Sequence, residues 1–434
     1  MSKLIQKFRT YLYQWATNKT VDENGLYPTE KHGEQTKNFW LHSSALTSTK
    51  ISDSLIDPKL VLSWLFQQFS ASSTMIGLLV PLREAGSLLP QLFIAKQVTE
   101  ARKIKIYWVS GAVVQAMSLV GILLSILFLG DEWVPLSIII LLTVYSVARS
   151  YCSISYKATQ GKTIISSTRG RVSGTAGTLS AVFAVLLAVL IYLDLLNLSI
   201  SLVSIMIAGA ALLWFIAAAQ FSRLDELESE KVETGSIAEF SISSIRNCFS
   251  DGEFRRFIAV RGCLLATALT PPFLVMLLDT DSLGNQFALL LLASALANFL
   301  SSQIWGQLSD KSSRDTLKLA ALMASMNLLA VYLYQLMADG PVSVFWIALS
   351  LFVAMVAHQG VRIGRSTHIV DMVEQSMRAQ YTAVSNTLIG ILLLFSTIFG
   401  VLADNLGLTM VFLTFSFMTF VAFLLARRLK KVQQ

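Results

Sequence analysis

Residues 105–129 read KIYWVSGAVVQAMSLVGILLSILFL, with a single charge, Lys105, at the first position. At a rise of 1.5 Å per residue this run makes a helix of about 37 Å, enough to cross a hydrocarbon core of about 30 Å. A helix buried in a soluble core has no need of that length. A membrane-spanning strand fits no better, because it would alternate apolar and polar residues over about 10 positions, whereas this run is continuously apolar.

Runs of the same kind recur on both sides. Apolar stretches bounded by charged or Gly/Pro clusters predict helices near 39–65, 73–97, 105–129, 133–155, 173–193 and 199–220, then near 254–278, 285–307, 316–337, 341–364, 382–404 and 407–427. A polar stretch from Arg223 to Asp251, containing DELESEKVE, divides the two sets. The expected architecture is an all-α membrane protein with twelve transmembrane helices. It is laid out as an N-terminal segment (1–38), a six-helix bundle (39–220), a central linker (221–253), a second six-helix bundle (254–427) and a short tail (428–434). Composition agrees: 54% of the 434 residues are hydrophobic and 14% charged, against about 25% charged in ordinary soluble domains.

Loop charges test the helix count, since a missed span would invert the sidedness of every later loop. One side collects Lys96, Arg102, Lys103 and Lys105, then Lys157, Lys162, Arg169 and Arg171, then Lys311, Arg314 and Lys318, then Arg362, Arg365 and Arg378, and finally the tail with Arg427, Arg428, Lys430 and Lys431. The other side carries Asp131, Glu132, Asp194, Asp279, Asp281, Asp339 and Asp404 without a Lys or Arg. Both termini and the linker are therefore expected in the cytoplasm, in a bacterial inner membrane. The net charge of +7 then reports topology, and no nucleic-acid partner is implied. Residues 1–38 lack an apolar signal segment; with Tyr11, Tyr13 and Trp15 on a basic stretch they suit an amphipathic surface helix or a polar tail. Cys152, Cys248 and Cys263 are too scattered for a disulfide framework or a metal site.

The eighth expected helix ends in GQLSDKSSR, residues 306–314, and the second ends in PQLFIAKQV, residues 90–98, at the same point of its six-helix set. The first of these resembles the Gly-x-Leu-x-Asp-(Arg/Lys)-x-x-Arg signature of the major facilitator superfamily, matched by Gly306, Leu308, Asp310, Lys311 and Arg314. The resemblance implies two pseudo-symmetric six-helix bundles and a cytoplasmic gate, in which Gly306 allows close helix approach and Asp310 pairs with a cation across the bundles. In the first-half copy, Ala95 and Lys96 stand where the acidic residue is expected. RGRVSGTAG, residues 169–177, resembles the entry of the fifth helix in bacterial members, with Gly174 and Gly177 as a step for close packing.

Charges inside the expected spans are the sharpest functional signal. Lys50 and Asp53 lie in the first, Arg83 and Glu84 in the second, all near the midplane. A central Asp, Lys or Arg costs roughly 2.5–3.5 kcal/mol, so four unpaired charges would cost on the order of 10 kcal/mol. They are expected to pair among themselves, within the first helix or between the two, around a water-filled cavity. Asp53 is the first candidate for the proton-coupling carboxylate and Glu84 the second, with Lys50 and Arg83 as substrate or counter-charge groups. Sodium remains an alternative, since Thr49 and Ser52 flank the carboxylate. Pro58, Pro81, Pro90, Pro271 and Pro272 are expected to kink their helices. Second-tier polar positions are Asn298, His358 and Gln359, with His358 placed toward the cytoplasmic end; Trp214 and Trp305 read as interfacial anchors.

No phosphate-binding GxxxxGK(S/T) loop, HExxH or GxSxG occurs, so neither an ATP-driven pump nor an enzyme is expected, and no cofactor or metal is called for. The expectation is a proton-coupled secondary transporter for a small solute, tilted by the midplane cations toward an anionic one. A non-transporting membrane scaffold or sensor and a lipid flippase on the same fold are the alternatives.

Overall fold

The structure, a computed structural model, describes residues 35–432 apart from 92–93, 95–96, 99–100, 227–241, 279–282, 338–341 and 375–376. The N-terminal aromatic stretch, Ala95 and Lys96, most of the acidic linker and the loop residues Asp279, Asp281 and Asp339 lie outside the described residues. Within them the chain is helical, with no strand. The helices are α1 (Gln35–Leu55), α2 (Val61–Gln68), α3 (Ser73–Leu88), α4 (Lys105–Phe128), α5 (Val134–Thr163), α6 (Ser166–Tyr192), α7 (Ile200–Ser222) and α8 (Ile242–Ser250). They continue with α9 (Gly252–Cys263), α10 (Leu265–Val275), α11 (Leu283–Lys311), α12 (Ser313–Met337), α13 (Val344–Met372), α14 (Arg378–Phe395), α15 (Ile398–Leu406) and α16 (Leu408–Ala426).

Ten helical spans among the described residues are long and apolar enough to cross a membrane, and the chain is an integral membrane protein. Their outer faces are greasy, with Ile205 67% and Phe417 66% exposed. In lipid such faces need no cover, but every backbone and hydroxyl group needs a partner. Many buried hydroxyls meet that demand by bonding back along their own helices, as Ser118 does to the Val114 carbonyl, Ser146 to Leu142 and Thr419 to Phe415, and Ser52 reaches the Ala210 carbonyl on a second helix.

The two leading helical stretches, α1 with α2 and then α3, are absent from those ten, and they are the ones that carry the expected midplane charges. The first is broken. Pro58 cannot donate a backbone bond, and residues 56–60 leave the helix with their polar groups met locally: Asp57 Oδ1 accepts from the Lys59 N–H at 2.9 Å, and the Ser63 hydroxyl donates to the Pro58 carbonyl at 2.8 Å. Pro81, by contrast, sits inside α3, and Pro271 and Pro272 inside α10.

Several helices overrun the boundaries that hydropathy sets. α5 runs to Thr163, α6 starts at Ser166 and α13 continues to Met372, so Lys157, Lys162, Arg169, Arg171 and Arg365 are helical rather than loop residues. The reason is physical: a hydropathy window measures the lipid-facing length, and a helix that has left the lipid still satisfies its own backbone. Arg169 even closes the α5 end, donating to the carbonyls of Ile164 at 2.9 Å and Gly161 at 2.8 Å.

Two further expectations are corrected. Trp214 and Trp305 are buried, 2% and 4% exposed, and are not interfacial anchors: Trp214 donates to the Tyr145 hydroxyl at 3.1 Å and Trp305 to the Val356 carbonyl at 2.8 Å. Gly306 and Gly174 have open space where a side chain would begin, so neither is kept small by a neighbouring helix, and Gly177 faces the Lys50 ammonium. The close helix approaches lie elsewhere. A Cβ on Gly400 would stand 2.7 Å from the Thr74 Cα, and one on Gly86 2.6 Å from the Ser146 Cβ.

A charged cluster between the leading helices and α13 as the candidate functional site

Asp53, on the last turns of α1, is the most heavily bonded charge among the described residues. Both its oxygens accept from the Arg149 guanidinium on α5, and Oδ1 also accepts from Arg83 on α3 at 3.1 Å and from the Tyr145 hydroxyl at 3.0 Å. Tyr145 is fully buried and receives the Trp214 indole N–H. Arg83 stands over the Tyr145 ring at 5.0 Å and Arg149 over Trp214 at 5.8 Å. One carboxylate therefore ties α1, α3, α5 and, through Trp214, α7.

Of the four midplane charges, Asp53 and Arg83 pair between adjacent helices, while Lys50 turns away. Its ammonium reaches the Ser173 carbonyl on α6 at 3.4 Å, beside Gly177. Glu84 makes no side-chain hydrogen bond among the described residues; the charges around it are Lys59, Arg83, Arg365 and Arg149. The Asp53 oxygens accept from guanidinium and phenol donors, and the Thr49 and Ser52 hydroxyls donate to the carbonyls of Leu46 and Ala210.

The cluster continues into the second set of helices. Lys59, in the break after α1, lies 3.1 Å from His358 Nε2 at the middle of α13, and His358 Nδ1 lies 3.2 Å from the Thr267 hydroxyl on α10. His358 meets there a cation from the break after α1. Arg362 and Arg365 follow four and seven positions later on the same helix. Lys59 feels both of them together with Glu84 and Asp57, Lys50 feels Arg362, and Arg261 on α9 feels Arg365. Seven cations, Lys50, Lys59, Arg83, Arg149, Arg261, Arg362 and Arg365, share this region with three carboxylates, Asp53, Asp57 and Glu84.

Sequence reading missed most of that list. Arg149 and Arg261 lie inside the expected spans 133–155 and 254–278, and Asp57 and Lys59 inside 39–65, so the criterion that singled out Asp53 applies to them as well. Arg365 was concealed by the early end expected for α13, and Arg362, inside the expected span 341–364, was counted with the loop charges. The other named positions lie apart from the cluster. Asn298 donates to its own helix at Ser294 O, and Gln359 reaches Ser302 at 3.4 Å. In the 306–314 turn Asp310 is exposed and makes no ion pair among the described residues, as Lys311 is exposed; Asp315 pairs instead, with Lys318 at 2.6 Å and Arg314 at 3.6 Å. A recess of about 390 Å³ lined by Val114, Val144 and Tyr151 lies on the outer face of α4 and α5, with no charged lining.

No protein-family model matches the chain and no curated protein matches it. Among solved structures it is similar to the D-xylose-proton symporter (11% identity, 92% of this chain and 98% of that one, TM-score 0.68) and to the nucleoside transporter NupG (14%, 91% and 100%, 0.65). It is also similar to a POT family transporter in complex with 5-aminolevulinic acid (11%, 90% and 94%, 0.65). The fold is that of the major facilitator transporters. At these identities the likeness carries the fold alone; the neighbours are transporters and not enzymes.

Proposed function

We propose that the protein is a secondary active transporter that carries a small solute by alternating access between two six-helix bundles, residues 39–220 and 254–427, with α1/α2 and α3 completing twelve spans. The observation that carries this reading is the 3.1 Å contact between Lys59 and His358, which joins the charges of one bundle to those of the other. Contacts between the sets are also reciprocal. α3, second in the first set, packs on α14 and α15, fifth in the second, and α6, fifth in the first, packs on α11, second in the second. A pseudo-twofold axis between repeats produces that pattern, with the substrate site at the repeat interface.

Proton coupling is placed at Glu84 ahead of Asp53. Protonating Asp53 would sacrifice its bonds to Arg83, Arg149 and Tyr145, whereas Glu84 has no such bonds to lose and sits among cations of both sets. The name of the D-xylose-proton symporter favours the same coupling ion. Lys50 and Arg83 remain candidate substrate or counter-charge groups. The 306–314 turn keeps its gate assignment for the alternate conformation, since Asp310 is free here to take a cation. By the charge asymmetry, both termini and that turn are cytoplasmic.

Reconstitution into proteoliposomes tests the reading. Under an imposed pH gradient the wild type accumulates a labelled solute from a substrate panel and Glu84→Gln does not. A membrane scaffold or sensor would move nothing in either case. A lipid flippase needs a greasy opening between the bundles, and the charged cluster where they meet speaks against it.

A further inference from the structure

We infer that Arg261, Arg362 and Arg365 form an oxyanion subsite for a substrate group carrying two negative charges. The inference rests on the transport reading of the same cluster and gives it a substrate class. Arg261 is 7% exposed. Its two terminal nitrogens donate to neutral groups on α14, the Ser385 hydroxyl and, at 3.4 Å, the Asn386 side-chain oxygen, and its Nε is buried without a partner. The charge it feels is another cation, Arg365. A buried guanidinium without a counter-ion is costly, and here the second set of helices supplies none among the described residues.

Arg362 and Arg365, three apart on one face of α13, repel each other and share a single carboxylate neighbour, Glu84. Neither makes an ion pair among the described residues. Arg365 is within electrostatic reach of Arg261, Arg362, Lys59, His358 and Glu84. Glu84 is the carboxylate neighbour of Arg362 and Arg365 and Arg261 has none among the described residues, so the three guanidiniums carry two more positive charges than that carboxylate offsets. A monocarboxylate would balance one of them; a phosphate monoester or a dicarboxylate balances both, and the guanidinium fork matches such oxygens with paired N–H donors.

The test is a thermal-stability titration of the purified full chain in detergent with inorganic phosphate, succinate, acetate and lysophosphatidic acid at constant ionic strength. Phosphate or succinate is expected to stabilise the wild type where acetate does not, with at least a tenfold loss of apparent affinity in Arg362→Gln and in Arg365→Gln. Arg362→Gln, at an exposed position, keeps the test open should Arg261 or Arg365 variants fail to fold. Arginine-dependent stabilisation by lysophosphatidic acid alone would support the subsite and assign it to a lipid headgroup. Equal stabilisation of wild type and both variants, or none by any dianion, would overturn the proposal. Binding without flux in proteoliposomes would sink the transport reading and leave the subsite standing.

Discussion

Asp404 holds the first turn of α3, at Ser73 and Thr74, from 331 and 330 residues away in the chain. Its carboxylate accepts the Thr74 N–H at 2.9 Å, the Thr74 hydroxyl at 2.5 Å and the Ser73 N–H at 2.8 Å. Two orphan donors at the start of α3 are thereby met by a residue of α15, in the other set of helices. Beside this cap Gly400 lets the two backbones touch. On the transport reading, this contact closes one end of the interface between the sets.

Asp404→Ala is expected to weaken that closure by about 1 kcal/mol, the usual worth of an N-cap. Gly400→Val should do more, since its Cβ would meet backbone rather than a flexible side chain. Distances between spin labels on the two helix ends, or labelling of cysteines placed beside Thr74, should report a larger open fraction in both variants. An unchanged distance distribution in Gly400→Val would refute the closure.

Asp53 and Arg149 are expected to behave as a unit. Asp53→Ala leaves Arg149 without its carboxylate inside the bilayer, at a cost of about 3–5 kcal/mol, and Arg149→Ala costs less because Asp53 keeps Arg83 and Tyr145. The double variant should lose much less than the sum of the two, a coupling that thermal unfolding of the four proteins would measure. Additive losses would mean that the pair does not hold the helices together.

Glu84→Gln should separate coupling from binding. Flux driven by a pH gradient is expected to vanish while solute counterflow, which needs no net proton movement, continues. Asp53→Asn should lower both, because it dismantles the network around Tyr145. If Glu84→Gln kept its gradient-driven flux, the coupling assignment would fail.

Lys59 and His358 should set the balance between conformations rather than overall stability. His358→Phe removes a hydrogen bond worth about 1 kcal/mol that exists only while the two sets meet at this level. A several-fold shift in the open-to-closed ratio, without a matching fall in unfolding temperature, is the expected result.

Much of the site was open to sequence reading, and the omissions have causes. The cost of a charge in lipid singled out Asp53, Glu84, Lys50 and Arg83, and the same cost applies to Arg149 and Arg261, each the kind of residue an apolar span does not carry without a reason. The sidedness rule worked against Arg362 and Arg365: it counts basic residues near a span's end as loop, and α13 carries them onward in helix toward Glu84. His358 could not be placed from composition, since its partner Lys59 is 299 residues away.

Hydropathy adds up locally along the chain, so the sequence by itself determined a membrane protein, its all-helical class and the order of its apolar spans. Which charge meets which depends on side-chain direction and on helices distant in sequence. Only the tertiary structure therefore decided that Asp53 binds Arg149 and Tyr145, that Lys50 turns to Ser173, and that the cations outnumber the carboxylates where the two sets meet.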